Sequence, residues 1–147
     1  MTAEEKLAEL GLVLPDPPQP AGAYTRAVRW GDLLLVSGQL PLEQGHIRYA
    51  GRVGSELSVE EGYAAARLCA LNGLSILKAE AGGLERVARI LRLGGFVASA
   101  DGFTDQAKVV NGASELFSTV LGPRGLHARL AVGVNQLPLG AAVELEI

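Results

Sequence analysis

The segment between Ser58 and Gly83 restricts the possible folds more than any other part of the sequence. Ser58 and Glu61 have the spacing of a helix capping box, and the Gly82-Gly83 pair is a typical helix stop. Between these signals, apolar residues recur at helical spacing: Tyr63, Ala66, Ala70, Gly73, Leu74 and Leu77. The sequence therefore predicts a long helix with one buried face.

A second helix is predicted between Thr104, a candidate N-cap, and the Gly122-Pro123 stop. Its apolar stripe consists of Val109, Ala113, Leu116, Phe117 and Val120. Strand patterns surround both helices, with a hairpin turn at Gly31-Asp32, a middle strand "ARILRLGGFVAS" and two strands at the end. The Gly94-Gly95 pair in the middle strand indicates a bulge or a close approach to the backbone. This order predicts an α+β fold in which two long helices cover one face of a mixed sheet.

A chain of 147 residues is long enough to build one hydrophobic core, so residues 1–147 are predicted to form a single domain. Residues 1–22 are expected to be an addition to it. Thr2 and Glu5 form another capping box, which predicts a short helix before Gly11. The following "LPDPPQPAG" segment holds four of the seven prolines and is expected to run over the surface as a stiff, extended strap.

Charge and composition disfavour several functions. A net charge of -3 provides no broad cationic field, so nucleic-acid binding is not expected. Cys69 has no second cysteine and is interpreted as a small buried hydrophobe, while His46 and His127 have no metal-ligand spacing. The N-terminus is unlike a signal peptide and no segment reaches membrane-spanning length, so a soluble, cytoplasmic protein is expected.

The last two strands raise the question of which way Arg129 points. Side-chain alternation predicts one aliphatic face made of Leu130, Val132, Val134, Val143, Leu145 and Ile147. If the strands pair as a hairpin with these aliphatic faces matched under the helices, Arg129 shares the other face with Glu144 and Glu146. That second face would then meet water or another subunit.

Arg129 has two interpretations. The strand spacing alone favours a solvated cross-strand ion pair with Glu144 or Glu146, worth under about 1 kcal/mol. The neighbouring Ala131 and Gly133 favour a binding role, because their small side chains leave room for a carboxylate to reach the planar guanidinium.

Four segments together resemble the Rid family, also called YjgF-like, of reactive-intermediate (enamine/imine) deaminases: "AYTRAVRWGDLLLVSGQLPLE", "FVASADGF", "VVNGASELF" and "HARLAVGVNQLPLGAAVELE". The resemblance covers residues 20–147. It implies a chorismate-mutase-like α+β fold and a homotrimer with a barrel-like core and ligand sites in the clefts between subunits. The N-terminal helix and proline strap resemble a longer branch of that family.

The resemblance also implies a site and a reaction. Arg129 corresponds to the arginine that holds the ligand carboxylate, and Glu144 to the acidic residue that orients the attacking water. The positions implied to line the pocket are Tyr24, Ser37, Gly38, Asn111 and Ala131. The implied reaction hydrolyses enamines or imines, such as 2-aminoacrylate and 2-imino acids, to 2-keto acids and ammonia. It requires no cofactor, since the imine is already electrophilic.

The residues also permit other interpretations. Taken alone, Tyr24 fits a half-buried strand aromatic, Ser37 a strand-end hydroxyl bonded to the backbone, and Asn111 an exposed helix residue. Trp30 is expected to cover the edge of the core, and His127 to lie in a loop. The alternative function is a non-catalytic trimer that binds small carboxylate metabolites or a protein partner.

Overall fold

A computed structural model describes residues 1–147. The helices are α1 (Ala3–Glu9), α2 (Val59–Ala81) and α3 (Gln106–Leu121). The strands are β1 (Ala27–Trp30), β2 (Leu33–Val36), β3 (Leu42–Glu43), β4 (His46–Ile47), β5 (Arg92–Ala98), β6 (Ala128–Val134) and β7 (Val143–Glu146). Short 3-10 turns occupy Leu84–Arg86, Gly122–Gly125 and Pro138–Gly140. No helix has both the length and the hydrophobicity needed to cross a membrane.

Strand β5 lies at the centre of the main sheet. It pairs in parallel with β6 on one side and antiparallel with β7 on the other. The sheet continues beyond β7, because Val36 and Ile147 exchange backbone hydrogen bonds, as do Gln39 and Leu145. Strand β1 then pairs with β2, which gives the order β1-β2-β7-β5-β6. Three residue steps from Val36 to Gln39 oppose two steps on β7, so the intervening Ser37-Gly38 segment is a β-bulge.

The two long helices differ in how their N-termini are capped. Ser58 and Glu61 form the predicted capping box, with both hydrogen bonds at 3.1 Å, and α2 ends at Gly82 in the left-handed conformation. Helix α3 starts at Gln106 after Asp105, whose side chain makes no cap bond, so the predicted Thr104 cap is wrong. The apolar stripe of α3 is buried as predicted.

Close contact between α2 and α3 depends on Gly112. A Cβ atom at Gly112 would collide with the backbone carbonyl of Tyr63 on α2. Cys69, on the same helix as Tyr63, is completely buried, as predicted, and burial raises the pKa of its thiol well above the ordinary range. The two helices therefore pack tightly on one face of the sheet.

Gly94 and Gly95 accommodate close neighbours on both sides of β5. A Cβ atom at Gly95 would lie 2.6 Å from Val110 of α3, and one at Gly94 would lie 2.8 Å from the Glu146 side chain. The pairing of β5 is regular through both glycines, so the predicted close approach is confirmed.

Helix α1 packs against this core. The predicted capping box of Thr2 and Glu5 is confirmed, and Ala3 and Leu7 are buried. The Ala3 backbone N–H donates to Glu85 Oε1 at 2.7 Å, which attaches α1 to the turn that follows α2. Between residues 12 and 26 the chain forms neither helix nor strand, although Leu12 packs against the core.

The predicted hairpin of the last two strands is wrong, because β5 lies between β6 and β7. Arg129 is the register partner of Leu93, which is fully buried beneath the helices. Glu144 and Glu146 are the partners of Phe96 and Gly94, on the opposite face of β5. The prediction that Arg129 shares a sheet face with these two glutamates is therefore also wrong.

The error has a physical cause: the face of the sheet that the helices leave uncovered carries many apolar side chains beside its charged ones. The helices cover the face that carries Arg129, Ala131 and Gly133. The small size of Ala131 and Gly133 lets α3 approach β6. The residues exposed on the uncovered face are Val28, Trp30, Leu33, Leu35 and Leu130. Trp30 is 81% exposed, so the expectation that it covers the edge of the core is wrong.

Candidate functional site

Arg129 lies at the edge of the sheet, on β6, with its side chain against α3. Its Nη1 donates to Asn111 Oδ1 at 2.8 Å and to Ser114 Oγ at 3.1 Å, and its Nη2 donates to the carbonyl of Ala107 at 3.3 Å. These three partners follow one another along a single face of the helix. The structure thus brings Asn111 next to Arg129.

The Arg129 guanidinium has no carboxylate partner in the chain. Glu146 pairs instead with Arg92 at 3.1 Å, so the interpretation of Arg129 as a cross-strand ion pair is wrong. A guanidinium has five N–H donors, and the three bonds to α3 leave two of them, one on Nε and one on Nη2. Since Arg129 is exposed, these two donors are available to a planar anion.

Glu144 lies in a different environment, half-buried on the uncovered face of the sheet. Burial raises the pKa of the Glu144 carboxyl, and the like charge of Glu146 raises it further. Its carboxylate lies over Gly38 of the β-bulge, where any Cβ atom would collide with it. Glycine at this position therefore lets the carboxylate lie against the backbone.

Of the remaining predicted residues, Ser37 lies next to Gly38, Ala131 lies next to Arg129 in the strand, and Tyr24 makes no hydrogen bond with either place. Ser37, in the bulge, donates its hydroxyl hydrogen to the carbonyl of Thr25 at 2.7 Å. Tyr24 is 54% exposed, and its hydroxyl accepts from the backbone N–H of Ala21 at 3.4 Å. Ala131 follows Arg129 on the helix-covered face and packs against the core.

We call Arg129, Asn111 and Ala131 the arginine group, and Glu144, Gly38 and Ser37 the glutamate group. The two groups lie on opposite faces of the sheet, and no hydrogen bond or ion pair joins them within the chain. One chain alone does not place the guanidinium and the carboxylate around a common ligand.

Two further residues belong with the arginine group, although they were not among the predicted pocket positions. Ser114 Oγ lies 2.9 Å from His127 Nε2, and His127 Nδ1 lies 2.6 Å from the carbonyl oxygen of Gly125. A sequence signal existed for both: Ser114 follows Asn111 by one helical turn, and His127 precedes Arg129 by two residues, on the same side of an extended chain.

A separate cleft lies elsewhere in the chain. It has a volume of about 610 Å³ and opens between β2, the end of β7 and the segment that leads into β5. None of the residues of the arginine or glutamate group lines it.

The mixed sheet with two helices on one face defines a small α+β protein of the chorismate-mutase-like class, as predicted. Residues 4–145 match the family described as "YjgF/chorismate_mutase-like, putative endoribonuclease", and the chain belongs to this family.

Similar proteins cover nearly the whole chain. "Protein TCP17" of Trypanosoma cruzi is 48% identical over 141 residues, which are 95% of this chain and 88% of that protein. The solved structure of Atu1372 from Agrobacterium tumefaciens, of unknown function, is 45% identical with a TM-score of 0.91, covering 99% of this chain and 90% of its own. The solved structure of a "putative endoribonuclease" from Shewanella oneidensis MR-1 is 34% identical with a TM-score of 0.96. The match covers 99% of this chain and 97% of that one.

Proposed function

We propose that this protein is an enamine/imine deaminase of the Rid type, which hydrolyses 2-aminoacrylate and 2-imino acids to 2-keto acids and ammonia. The observation that carries the proposal is the state of Arg129: exposed, held by three hydrogen bonds and without a carboxylate partner. A guanidinium with two free donors suits the bidentate binding of a substrate carboxylate.

The site is proposed to form between subunits of a homotrimer. Because the arginine and glutamate groups lie on opposite faces of one sheet, a second copy must supply the glutamate group to each Arg129. The exposed apolar residues of the uncovered face, among them Trp30, Leu33 and Leu35, support such an assembly with a barrel-like core.

In the proposed reaction, Arg129 fixes the substrate by its carboxylate and Glu144 of a neighbouring subunit orients a water molecule. The water oxygen bonds to the C=N carbon, and its proton passes to the Glu144 carboxylate, whose raised pKa makes it a stronger base than an ordinary glutamate. That proton and the hydroxyl proton of the resulting carbinolamine both pass to the nitrogen, the C–N bond breaks, and ammonia leaves as the C=O bond forms. 2-Aminoacrylate enters this step as its imine tautomer, 2-iminopropionate. Positioning and proton transfer suffice, so no cofactor is invoked.

The alternative is a trimer that binds small carboxylates or a protein partner without catalysis. It is favoured by one observation, namely that Arg129 has its complete set of positioning bonds within one chain whereas Glu144 lies on the other face. RNA cleavage is not proposed, because a chain of net charge -3 offers little attraction to RNA phosphates.

The test generates 2-iminopropionate in situ with an amino-acid oxidase and follows its disappearance. We expect the protein to accelerate the loss, and Arg129→Ala to lower kcat/KM at least about thirtyfold, because the carboxylate loses its charged partner. Arg67→Ala is the matched control, since Arg67 is an exposed arginine without a hydrogen bond or ion pair.

Loss of the imine at the rate seen in buffer, or full activity in Arg129→Ala, would refute the deaminase. Thermal stabilisation of the wild type by 2-keto acids without turnover would favour the binding protein instead.

A further inference from the structure

We infer that Ser114 and His127 form a positioning pair that holds Arg129 in its ligand-binding orientation. This inference rests on the proposed function, in which Arg129 binds the substrate carboxylate. It extends the site to two side chains that would not themselves touch the carboxylate.

The direction of each hydrogen bond follows from the chemistry of the partners. The Gly125 carbonyl can only accept, so His127 Nδ1 carries the hydrogen and donates it across the 2.6 Å contact. In a neutral imidazole the other nitrogen is then an acceptor, and Ser114 donates its single hydroxyl hydrogen to Nε2 at 2.9 Å.

This arrangement determines what Ser114 offers to Arg129. With its hydrogen committed to His127, the Ser114 oxygen presents lone pairs to Arg129 Nη1 at 3.1 Å. Asn111 Oδ1 takes the other Nη1 hydrogen. Both Nη1 donors are thus occupied, and the free donors are restricted to Nε and Nη2, which a carboxylate can take as a pair.

His127, the member of the pair further from Arg129, packs against the core. The His127 ring packs edge-on against Phe117, with ring centroids 5.9 Å apart, and Phe117 is completely buried. Gly125 lies so close to α3 that a Cβ atom there would collide with the Phe117 carbonyl. Arg129 therefore loses much of its rotamer freedom before a ligand arrives, which lowers the entropic cost of binding.

The experiment measures binding of 2-oxobutyrate, a stable 2-keto acid, by calorimetry and turnover of 2-iminopropionate by kinetics. Ser114→Ala and His127→Leu are each expected to weaken binding about tenfold, the effect of losing a hydrogen bond that supports a charged group. Because only ligand positioning is lost, KM should rise while kcat changes less.

Conservative variants separate positioning from a merely structural role. Ser114→Thr keeps the hydroxyl and His127→Gln keeps an acceptor, so both should bind within about threefold of the wild type. The double variant Ser114→Ala/His127→Leu should bind no more weakly than either single variant, since both changes break the same chain of bonds. Ser118→Ala is the matched control, because the Ser118 hydroxyl, one turn further along α3, donates only to the Glu115 carbonyl.

Two results would overturn the inference: wild-type binding by Ser114→Ala, or additive losses in the double variant without recovery in Ser114→Thr. The variant Arg129→Ala keeps this failure distinct from failure of the proposed function. If Arg129→Ala binds 2-oxobutyrate normally, the proposed function fails. If it loses binding while Ser114→Ala does not, only the positioning pair is refuted.

Discussion

At the scale of single residues, the proposed site depends on two ionisable groups in unlike surroundings. Arg129 is exposed, but it is held by partners on α3 that carry no charge. Glu144 is half-buried next to Glu146, which disfavours its ionised form. The first arrangement prepares a cation for an anionic ligand, and the second produces a carboxylate that accepts a proton readily.

The raised pKa of Glu144 predicts a pH-dependent stability. Between the ordinary glutamate pKa of the unfolded chain and the raised pKa of the fold, the folded state binds the proton more tightly, so stability falls as pH rises through that window. Glu144→Gln removes this loss. The variant should melt above the wild type at about pH 7, and the difference should vanish at about pH 3, where both states are protonated.

Scanning calorimetry across pH checks this, with Glu56→Gln as a control of opposite sign. Backbone hydrogen bonds lower the pKa of Glu56, so its replacement should reduce stability at neutral pH. Equal melting temperatures of Glu144→Gln and wild type at every pH would contradict the assigned environment.

Gly38→Ala is predicted to separate binding from turnover. The added Cβ atom would meet the flexible end of the Glu144 side chain, which can move aside, so the loss of stability should stay under about 1 kcal/mol. The displaced carboxylate should orient water poorly, and turnover of 2-iminopropionate should fall while 2-oxobutyrate binding is retained. Unchanged turnover would show that the position of Glu144 against Gly38 is unimportant.

At the scale of helices and strands, local signals were sufficient for some elements and insufficient for others. The start and end of α2 could be predicted because Ser58, Glu61 and Gly82 act on their own neighbours in sequence. The pairing of β6 could not, because insertion of β5 between β6 and β7 is a non-local choice. Alternation placed Ala131 and Arg129 on one face correctly, but it could not identify which face the helices cover.

The crossing of α2 and α3 predicts opposite outcomes for two helix glycines. Gly112→Ala should destabilise the fold by about 2–3 kcal/mol, because its Cβ would meet the rigid backbone carbonyl of Tyr63. Gly73→Ala is the control: its Cβ would meet only the end of the Ile147 side chain, and alanine favours the helix, so the change should stay within about 1 kcal/mol. Chemical denaturation measures both, and equal effects would refute the proposed role of Gly112.

At the scale of the whole molecule, the sheet has one face covered by helices and one left open. The alternation of side chains in the sequence could not show which face is open, since the open face carries aliphatic residues just as the covered face does. A chain that exposes Trp30, Leu33 and Leu35 together is expected to bury them against other copies of itself.

Leu35→Arg is therefore predicted to shift the proposed trimer towards monomers, because a charge would be buried at the contact between subunits. Val13→Arg is the control, since Val13 is 85% exposed, directly precedes the proline strap and belongs to no strand. Light scattering coupled to size-exclusion chromatography gives the mass of each variant. A monomeric wild type would contradict the intersubunit site.

The placement of Arg129 and Glu144 on opposite faces of one sheet has a genetic consequence. In the proposed trimer, the variants Arg129→Ala and Glu144→Gln are expected to complement each other when co-expressed, since every mixed trimer brings one intact guanidinium together with one intact carboxylate at a single subunit boundary. Each variant purified alone is expected to be inactive. A chain that carries both changes would restore activity to neither variant.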